Sequence, residues 1–378
     1  MSQKIKNALI SLSDKDQILR VLKILRKYKI NIISSGGTYK EIKKLKFKCT
    51  EISKYTGSPE ILDGRVKTLH PKIYAGILAK RNSKKHIREL KNNNYMGIDL
   101  IIVNFYPFEK TLEKTNNHKA VIENIDVGGP TLVRAAAKNY KDVTVITNTN
   151  QYNNLINELE KNKGSTNLDF RTKLSEDAFA MTAYYDSVIS NYFNSKSKNV
   201  FPKKKIFYGN LIEKLRYGEN SHQEAAIYNS KKNLEILKLN GKMLSYNNYN
   251  DIFSALNISK TFPKNTGTVI VKHANPCGVS INKNNLNSYK EAYECDPISA
   301  FGGIVSCNFK VNIKLAKEIS KLFFEVIIGN GFDKNALKIL KVRKNLRIID
   351  ASKIKIEKTN NISNFFNSYL IQSPDNMV

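Results

Sequence analysis

The chain has 378 residues, 41% of them hydrophobic, and a formal net charge of +29. The length predicts two or three domains with cores of their own. No apolar run is long enough to span a membrane, we expect no signal peptide at the N-terminus, and the four cysteines form no Cys-x-x-Cys pair. The composition therefore favours a cytoplasmic protein with reduced thiols over a secreted, disulfide-bonded one.

The positive charge first suggests nucleic acid as a partner. Only ten of the 62 basic residues are Arg, and the Lys residues are spread along the whole chain beside abundant Asn and Ile. Proteins that read base sequence rely on Arg, and no zinc-finger spacing or RNA-recognition motif occurs here. We attribute the charge mostly to compositional drift and expect it to attract phosphorylated substrates without specificity.

Short apolar runs alternate with helical patterns at the start of the chain. Residues 7–11 and 30–33 predict strands, and a stripe of Ile and Leu over residues 18–25 predicts the helix between them. Polar turns follow the two strands at residues 13–15 and 34–38. In α/β folds a strand, a small-residue turn and a helix place phosphates at helix N-termini, although a plain tight turn explains one such segment more often.

Residues 64–71 form a polar stretch opened by glycine, Gly-Arg-Val-Lys-Thr-Leu-His-Pro. Pro71 is not tolerated in the interior of a helix, so we expect a loop. Arg65 and Lys67 together suit a phosphate, because Arg binds as a fork and Lys as a point charge. Taken alone, the stretch fits a phosphate receptor and a solvated basic loop equally well.

Two further strands complete the pattern of the first domain. Residues 98–104 and 143–147 predict these strands, and a helix opens after Asp126 and passes through Lys138. Strands that alternate with helices predict a mostly parallel sheet covered on both faces, with ligands at the carboxyl ends of the strands. Asn104 and both turns described above fall at such ends.

A second module begins after a predicted linker. Residues 151–160 and 170–193 predict helices, and residues 194–205, rich in Lys, Ser and Asn, predict the linker. Beyond it, strands at residues 268–271 and 304–307 alternate with polar clusters. These clusters are residues 215–222, 244–248, 272–278 and 296–303.

His273 and Cys277 suggest zinc as a ligand of this module. Zinc deaminases combine a His-x-Glu motif with Pro-Cys-x-x-Cys. Here one Cys follows Pro276, and no second Cys occurs at that spacing. We therefore expect no catalytic metal.

Residues 64–71 and 272–278 together resemble the family of bifunctional purine-biosynthesis enzymes that combine IMP cyclohydrolase and AICAR transformylase. The resemblance implies an α/β fold. A methylglyoxal-synthase-like doubly wound parallel-sheet domain would span residues 1–195, and a partial cytidine-deaminase-like α/β transformylase domain would span residues 206–378. The family's transformylase region normally continues further, and Ser221 stands where the family usually has Pro. Other matching blocks are residues 11–15, 35–38, 56–76, 104–108, 125–139, 215–222, 244–248, 271–279 and 296–303.

For the first domain, the resemblance implies closure of a formylated aminoimidazole carboxamide ribotide to IMP with loss of water. It implies a chemical cluster of Lys67, Tyr106, Asp126 and Lys138, in which Lys138 exchanges protons and Asp126 orients the carboxamide. A Lys on a helix more often lies solvated on the surface than in a site, and an Asp at the start of a helix more often serves as its N-cap. The implied nucleotide-binding residues are Ser13, Asp14, Lys15, Ser35, Gly36, Gly37, Thr38, Arg65, Thr68 and Asn104.

For the second domain, the resemblance implies attack of the AICAR amine on the formyl group of 10-formyltetrahydrofolate, a co-substrate. Lys272 would stabilise charge near the formyl oxygen, and His273 would take a proton from the amine. A structural His is commoner at a strand end, but the flanking Lys and Asn-Pro-Cys-Gly favour the catalytic role. The implied nucleotide pocket comprises Arg216, Tyr217, Asn247, Phe301 and Gly302.

Three hypotheses stay open for the whole chain. The first is a purine-pathway enzyme with a competent cyclohydrolase and an impaired transformylase. The second is a degenerate basic scaffold or RNA-binding remnant without turnover, and the third is an enzyme completed by a separately encoded fragment. The resemblance implies a homodimer with AICAR, formyl-AICAR and IMP as ligands, without a membrane or specific nucleic acid as partner.

Overall fold

The computed structural model describes residues 2–197, 200–230, 236–354 and 360–375. The chain forms two compact units, Met1–Phe207 and Tyr208–Val378, each with its own sheet and buried core. The four cysteines all lie in the described ranges and have free thiols. No helix in the described part is both long and apolar enough to cross a lipid bilayer.

The first unit alternates strands and helices. Its strands are β1 (Gln3–Lys4), β2 (Asn7–Leu12), β3 (Asn31–Ser34), β4 (Thr50–Glu51), β5 (Leu100–Asn104), β6 (Thr144–Ile146) and β7 (Ser165–Thr166). Its helices are α1 (Ile18–Lys27), α2 (Gly36–Lys44), α3 (Ile52–Thr56), α4 (Pro71–Leu78), α5 (Lys84–Asn92), α6 (Phe108–Lys114), α7 (His118–Glu123), α8 (Gly128–Lys138), α9 (Tyr152–Lys161) and α10 (Leu168–Lys196).

The main sheet of the first unit is parallel, in the order β4-β3-β2-β5-β6. In its register Leu9 lies opposite both Ile33 and Ile101. The first four residues of β5 are all buried, as expected for a strand whose sheet is covered on both faces. The predicted parallel sheet is confirmed, and the carboxyl ends of β2, β3 and β5 meet at one edge.

Two boundaries differ from the prediction. Helix α4 begins at Pro71, inside the stretch expected to be a loop, because the first helical position does not need the missing N–H of proline. His70 caps this helix, since its Nδ1 accepts the Lys72 N–H at 3.1 Å. Helix α10 continues to Lys196, so its last turn lies within the predicted linker at residues 194–205. Sequence patterns define helix ends less sharply than helix centres.

The second unit contains more strand than the first. Its strands are β8 (Asn210–Lys214), β9 (Ala226–Asn229), β10 (Leu237–Asn240), β11 (Gly267–Lys272), β12 (Asn275–Ile281), β13 (Ile304–Cys307), β14 (Val326–Gly329), β15 (Arg347–Asp350), β16 (Asn361–Phe365) and β17 (Ser368–Gln372). Its helices are α11 (Tyr246–Ser259), α12 (Asn285–Glu294), α13 (Pro297–Ala300), α14 (Ile313–Ile319) and α15 (Lys334–Lys341).

The main sheet of the second unit is mixed, in the order β10-β15-β14-β13-β11-β12. Strands β13, β14 and β15 are parallel, whereas β11 is antiparallel to both of its neighbours. The strands predicted at residues 268–271 and 304–307 are confirmed as β11 and β13. Strand β12 was not predicted, and it occupies much of the polar cluster at residues 272–278. Pro276 is compatible with this strand because β12 lies at the edge of the sheet.

Candidate active site

The carboxyl ends of β2, β3 and β5 open into a cavity of about 720 Å³ in the first unit. Most of the site residues that the sequence predicts for this unit line that cavity. They are Ser13, Lys15, Ser35, Gly37, Thr38, Arg65, Lys67, Thr68, Asn104, Tyr106 and Asp126. Asp14, Gly36 and Lys138, all in the described part of the chain, are not among the lining residues.

The first turn of α2 lies against two ammonium groups. A Cβ added to Gly36 would lie 2.0 Å from Lys67 Nζ, and a Cβ added to Gly37 would lie 3.7 Å from Lys15 Nζ. Gly36 also has a φ of +50°, which residues with a side chain rarely adopt. A helix N-terminus carries partial positive charge, so an anion between it and the Lys15 ammonium would relieve their mutual repulsion. We call the first turn of α2 together with Lys15 the anion site, because both offer an anion positive charge and N–H groups.

Two polar side chains fix the loops around this anion site. Thr38 Oγ1 accepts the Leu12 N–H at 2.9 Å and donates to the Leu12 carbonyl at 3.0 Å, which ties α2 to the end of β2. Asn104 Oδ1 accepts the N–H groups of Ser13 and Asp14 at 2.7 and 3.1 Å. Its Nδ2 donates to the Asp14 carbonyl at 2.7 Å. The predicted ligands Thr38 and Asn104 thus both shape the cavity by holding its loops.

Two carboxylates face the cations of residues 64–71. Glu60 Oε1 lies 3.0 Å from Lys67 Nζ. The Arg65 guanidinium donates to the Glu123 carboxylate, with an Nε–Oε1 distance of 3.2 Å. An incoming anion therefore competes with both acids for the same cations. Neither Glu60 nor Glu123 is predicted as a partner, because these tertiary contacts leave no spacing signal in the sequence.

Asp126 both caps a helix and faces the cavity. Its Oδ1 accepts the Gly129 N–H at 2.8 Å, so it satisfies the first turn of α8. Burial raises the pKa of Asp126, and backbone hydrogen bonds from Gly129 and Tyr106 partly offset this rise. Burial also raises the pKa of Tyr106, and the nearby charges of Asp126 and Glu60 add to the rise. A carboxylate with a raised pKa is a stronger proton acceptor than an ordinary Asp.

Lys138 lies at the opposite end of α8 from Asp126. The helix spans Gly128–Lys138, which corresponds to about 15 Å at a rise of 1.5 Å per residue. Lys138 lines a second cavity, of about 430 Å³, together with Tyr74 and Arg134. A single copy of the chain therefore does not bring Lys138 into the first cavity.

In the second unit, β11 ends at the two residues expected to be catalytic. Lys272 Nζ donates to the Phe301 carbonyl at 2.9 Å, which joins the clusters at residues 272–278 and 296–303. The Phe301 ring lies 5.4 Å from the Phe323 ring between centroids. His273 is exposed and occupies the turn between β11 and β12.

The other predicted pocket residues of this unit are Asn247, in the first turn of α11, Arg216, Tyr217 and Gly302. Asn247 Nδ2 donates to the Glu219 carbonyl at 3.3 Å, which joins the clusters at residues 215–222 and 244–248. The Arg216 guanidinium lies 5.5 Å from the centroid of the Tyr217 ring. Gly302 follows Phe301 in the chain. Its φ of +75° is a conformation that favours glycine.

Comparison with known proteins decides the family. The family model described as AICARFT/IMPCHase bienzyme matches residues 136–378, and the model described as MGS-like domain matches residues 17–131. The chain belongs to the AICARFT/IMPCHase bienzyme family. This confirms the predicted family and the α/β fold class, with an MGS-like first domain.

Two relatives agree with membership in the AICARFT/IMPCHase family, and one solved structure is reported beside them. A relative from Thermoanaerobacter sp. (strain X514), described as bifunctional purine biosynthesis protein PurH, is 44% identical over 98% of this chain and 73% of its own length. A protein of the same description from Buchnera aphidicola subsp. Schizaphis graminum (strain Sg) is 46% identical over 98% of this chain and 73% of its own. A solved structure described as the crystal structure of ForH is 28% identical and covers 50% of this chain and 99% of its own, with a TM-score of 0.45.

Among the described residues of this AICARFT/IMPCHase family member, no group of three or more His, Cys, Asp or Glu side chains is arranged to hold a metal ion. Cys277 Sγ instead lies 3.5 Å from the Ile270 carbonyl of β11. Burial is the main cause that raises the pKa of the Cys277 thiol, which makes its metal-binding thiolate form less available.

Proposed function

We propose that the first unit is an IMP cyclohydrolase within residues 1–195, and that residues 206–378 belong to an AICAR transformylase domain. One observation carries the cyclohydrolase proposal: a single cavity unites the anion site at α2 with Lys67, Tyr106 and Asp126. Formyl-AICAR has a phosphate at one end and the reacting carboxamide and formamide at the other. It therefore needs an anion site and proton-transfer groups within one cavity.

The proposed chemistry assigns one task to each side chain. Ring closure joins the carboxamide nitrogen to the formyl carbon, and the formyl oxygen becomes an oxyanion. The Lys67 ammonium stabilises this oxyanion, while the Asp126 carboxylate takes the proton that the nitrogen loses. Tyr106 donates a proton to the oxyanion, which becomes a hydroxyl group. This hydroxyl takes the proton held by Asp126 and leaves as water, while the former formamide N–H returns a proton to Tyr106 as the new C=N bond forms. The products are IMP and one water molecule.

A second copy of the chain would supply the group that the first cavity lacks. Leu78 and Phe179 line the cavity of Lys138, and each is 40% exposed. Exposed apolar side chains beside a reactive ammonium suit a contact between subunits. We therefore propose a homodimer in which Lys138 of the partner subunit completes the cyclohydrolase site and relays the proton from Asp126 to the leaving hydroxyl.

The second unit supports formyl transfer as its proposed reaction. The AICAR amine attacks the formyl carbon of 10-formyltetrahydrofolate, the new N–C bond replaces the bond to N10, and the amine proton ends on N10. Lys272 would stabilise the negative charge that develops on the formyl oxygen, and His273 would carry the proton. Arg216, Tyr217 and Asn247 would hold the nucleotide. Phe301 and Gly302 would line the pocket beside Lys272.

The decisive experiment separates the two activities. Purified chain is supplied with formyl-AICAR and IMP is followed, and then with AICAR and 10-formyltetrahydrofolate and folate release is followed. We expect IMP formation. Folate release that depends on AICAR would support formyl transfer as the reaction of the second unit. Salt-dependent retention on RNA without IMP formation would instead support the basic-scaffold hypothesis.

The free thiols support a reducing, cytoplasmic location for both reactions.

Replacing Glu123 with glutamine (Glu123→Gln) should tighten IMP binding about fivefold. The nucleotide phosphate would no longer compete with a carboxylate for Arg65, and an exposed ion pair has only a modest energy. Isothermal titration calorimetry measures the dissociation constant. The matched control is Glu160→Gln, which makes the same charge change at the Lys27 ion pair of the same unit. Equal tightening in both variants would show a general charge effect and contradict the competition.

A further inference from the structure

The turn between β11 and β12 has an unfavourable backbone. Lys272 pairs with Asn275, so only His273 and Ala274 connect the two strands. Their φ values are +53° and +59°. Two-residue turns with both central residues at positive φ strongly prefer Asn-Gly or Asp-Gly. His is tolerated in this region better than most residues, but Ala has neither a hydrogen-bonding side chain nor the freedom of glycine.

Helix α11 holds this turn from one side. The Ala274 N–H donates to Asp251 Oδ1 at 2.6 Å, and Ser254 Oγ donates to the Ala274 carbonyl at 2.7 Å. Both peptide groups of the strained residue are thereby fixed by side chains of a rigid helix. Asp251 and Ser254 lie three positions apart on α11, so they point from the same face of the helix.

The same face of α11 carries a predicted nucleotide-binding residue. Asn247 precedes Asp251 by four positions and Ser254 by seven, and it contacts the Glu219 carbonyl. A single helix thus connects the proposed nucleotide pocket with the turn that carries His273. Lys272, on the other side of that turn, is held by the Phe301 carbonyl. Lys272 and the turn that carries His273 are therefore held by two separate elements, the Phe301 loop and helix α11.

We infer that Asp251 and Ser254 are positioning residues that hold the strained His273–Ala274 turn and so aim His273 at the proposed formyl-transfer site. The inference rests on the proposed transformylase role of this unit. It does not require either residue to touch a substrate. Backbone strain of this kind persists only where surrounding contacts impose it, and it concentrates at functional sites.

The test uses the full chain and a set of matched variants. Asp251→Ala removes the acceptor, whereas Asp251→Asn keeps an oxygen that can accept the Ala274 N–H. Asp251→Ala should lower kcat for formyl transfer about tenfold to a hundredfold, with KM for AICAR within about twofold of wild type. Asp251→Asn should stay near wild type. Adding Ala274→Gly to Asp251→Ala should restore most of kcat, because glycine adopts a positive φ without the acceptor.

The control is Asp333→Ala, which removes an aspartate of the same unit that pairs with Lys310. It should leave kcat unchanged. Wild-type kcat in Asp251→Ala, or failure of Ala274→Gly to restore it in a folded protein, would overturn the inference.

Amide hydrogen exchange at Ala274 gives a readout independent of turnover. This amide should exchange at least about tenfold faster in Asp251→Ala than in wild type or in Asp333→Ala. Absence of formyl transfer in wild type would count against the proposed function of the second unit alone. The exchange rates would then decide the positioning role, and unchanged exchange in Asp251→Ala would overturn it.

Discussion

Replacing Lys67 with alanine should lower the rate of IMP formation by about a thousandfold. The ammonium is proposed to stabilise the oxyanion of ring closure, and removal of one such group commonly costs two to three orders of magnitude. Lys67 lines the cavity, pairs with Glu60 and lies against Gly36, so its loss leaves no void in the core. Steady-state formation of IMP from formyl-AICAR measures the effect.

The matched control for this variant is Lys27→Ala. Lys27 pairs with Glu160 on the surface of the same unit, so the control removes the same charge and breaks a comparable ion pair. We expect wild-type IMP formation in the control and unchanged thermal unfolding in both variants. A Lys67→Ala protein that is folded and forms IMP at more than about a tenth of the wild-type rate would remove Lys67 from the chemistry.

The same variant tests whether the site is shared between subunits. Neither Lys67→Ala nor Lys138→Ala should form IMP efficiently alone. After the two are mixed and allowed to exchange subunits, half of the dimers contain one copy of each. In each such dimer one of the two sites has both lysines, so activity should return to about a quarter of wild type. If Lys138 acts within its own chain, every mixed site keeps one defect and no activity returns.

The sequence predicted the sheet of the first unit well because a buried parallel strand has a strong signal. Residues 98–104 are almost entirely apolar up to Asn104, and β5 is buried along Leu100–Val103. The polar turns at strand ends were equally predictable, since ligands of such sheets bind at those ends. These two rules place Lys15, Ser35 and Asn104 around one cavity without further information.

Other features of the sites depend on contacts that no local pattern records. The pairing of Glu60 with Lys67 joins two positions of a loop whose path is not fixed by propensity. The turn at His273 and Ala274 lacks the glycine that marks such turns, because contacts from α11 replace the usual residue preference. The separation of Lys138 from Asp126, however, could be predicted from the sequence. A continuous helix between them already implies about 15 Å.

Replacing Asp126 with asparagine should lower IMP formation about a hundredfold and stabilise the fold at neutral pH. Asparagine keeps the oxygen that accepts the Gly129 N–H, so the cap of α8 remains. It cannot accept the proton of the attacking nitrogen, and loss of a general base commonly costs this much. Burial is the main cause that raises the pKa of Asp126, so the folded state holds the carboxylate at a cost in stability at neutral pH.

The sign of this pH dependence follows from the raised pKa. The folded state binds the Asp126 proton more tightly than the unfolded state, so the stability associated with that proton is present below the ordinary pKa of an aspartate. It is lost as the pH rises through the raised value. Asparagine does not titrate, so the melting temperatures of variant and wild type should coincide in acid and diverge in favour of the variant as the pH rises. Thermal unfolding at a series of pH values measures this difference. A variant that is less stable than wild type at neutral pH would contradict this prediction. It would show that the Asp126 charge stabilises the fold, so that burial of the carboxylate has no net cost in stability.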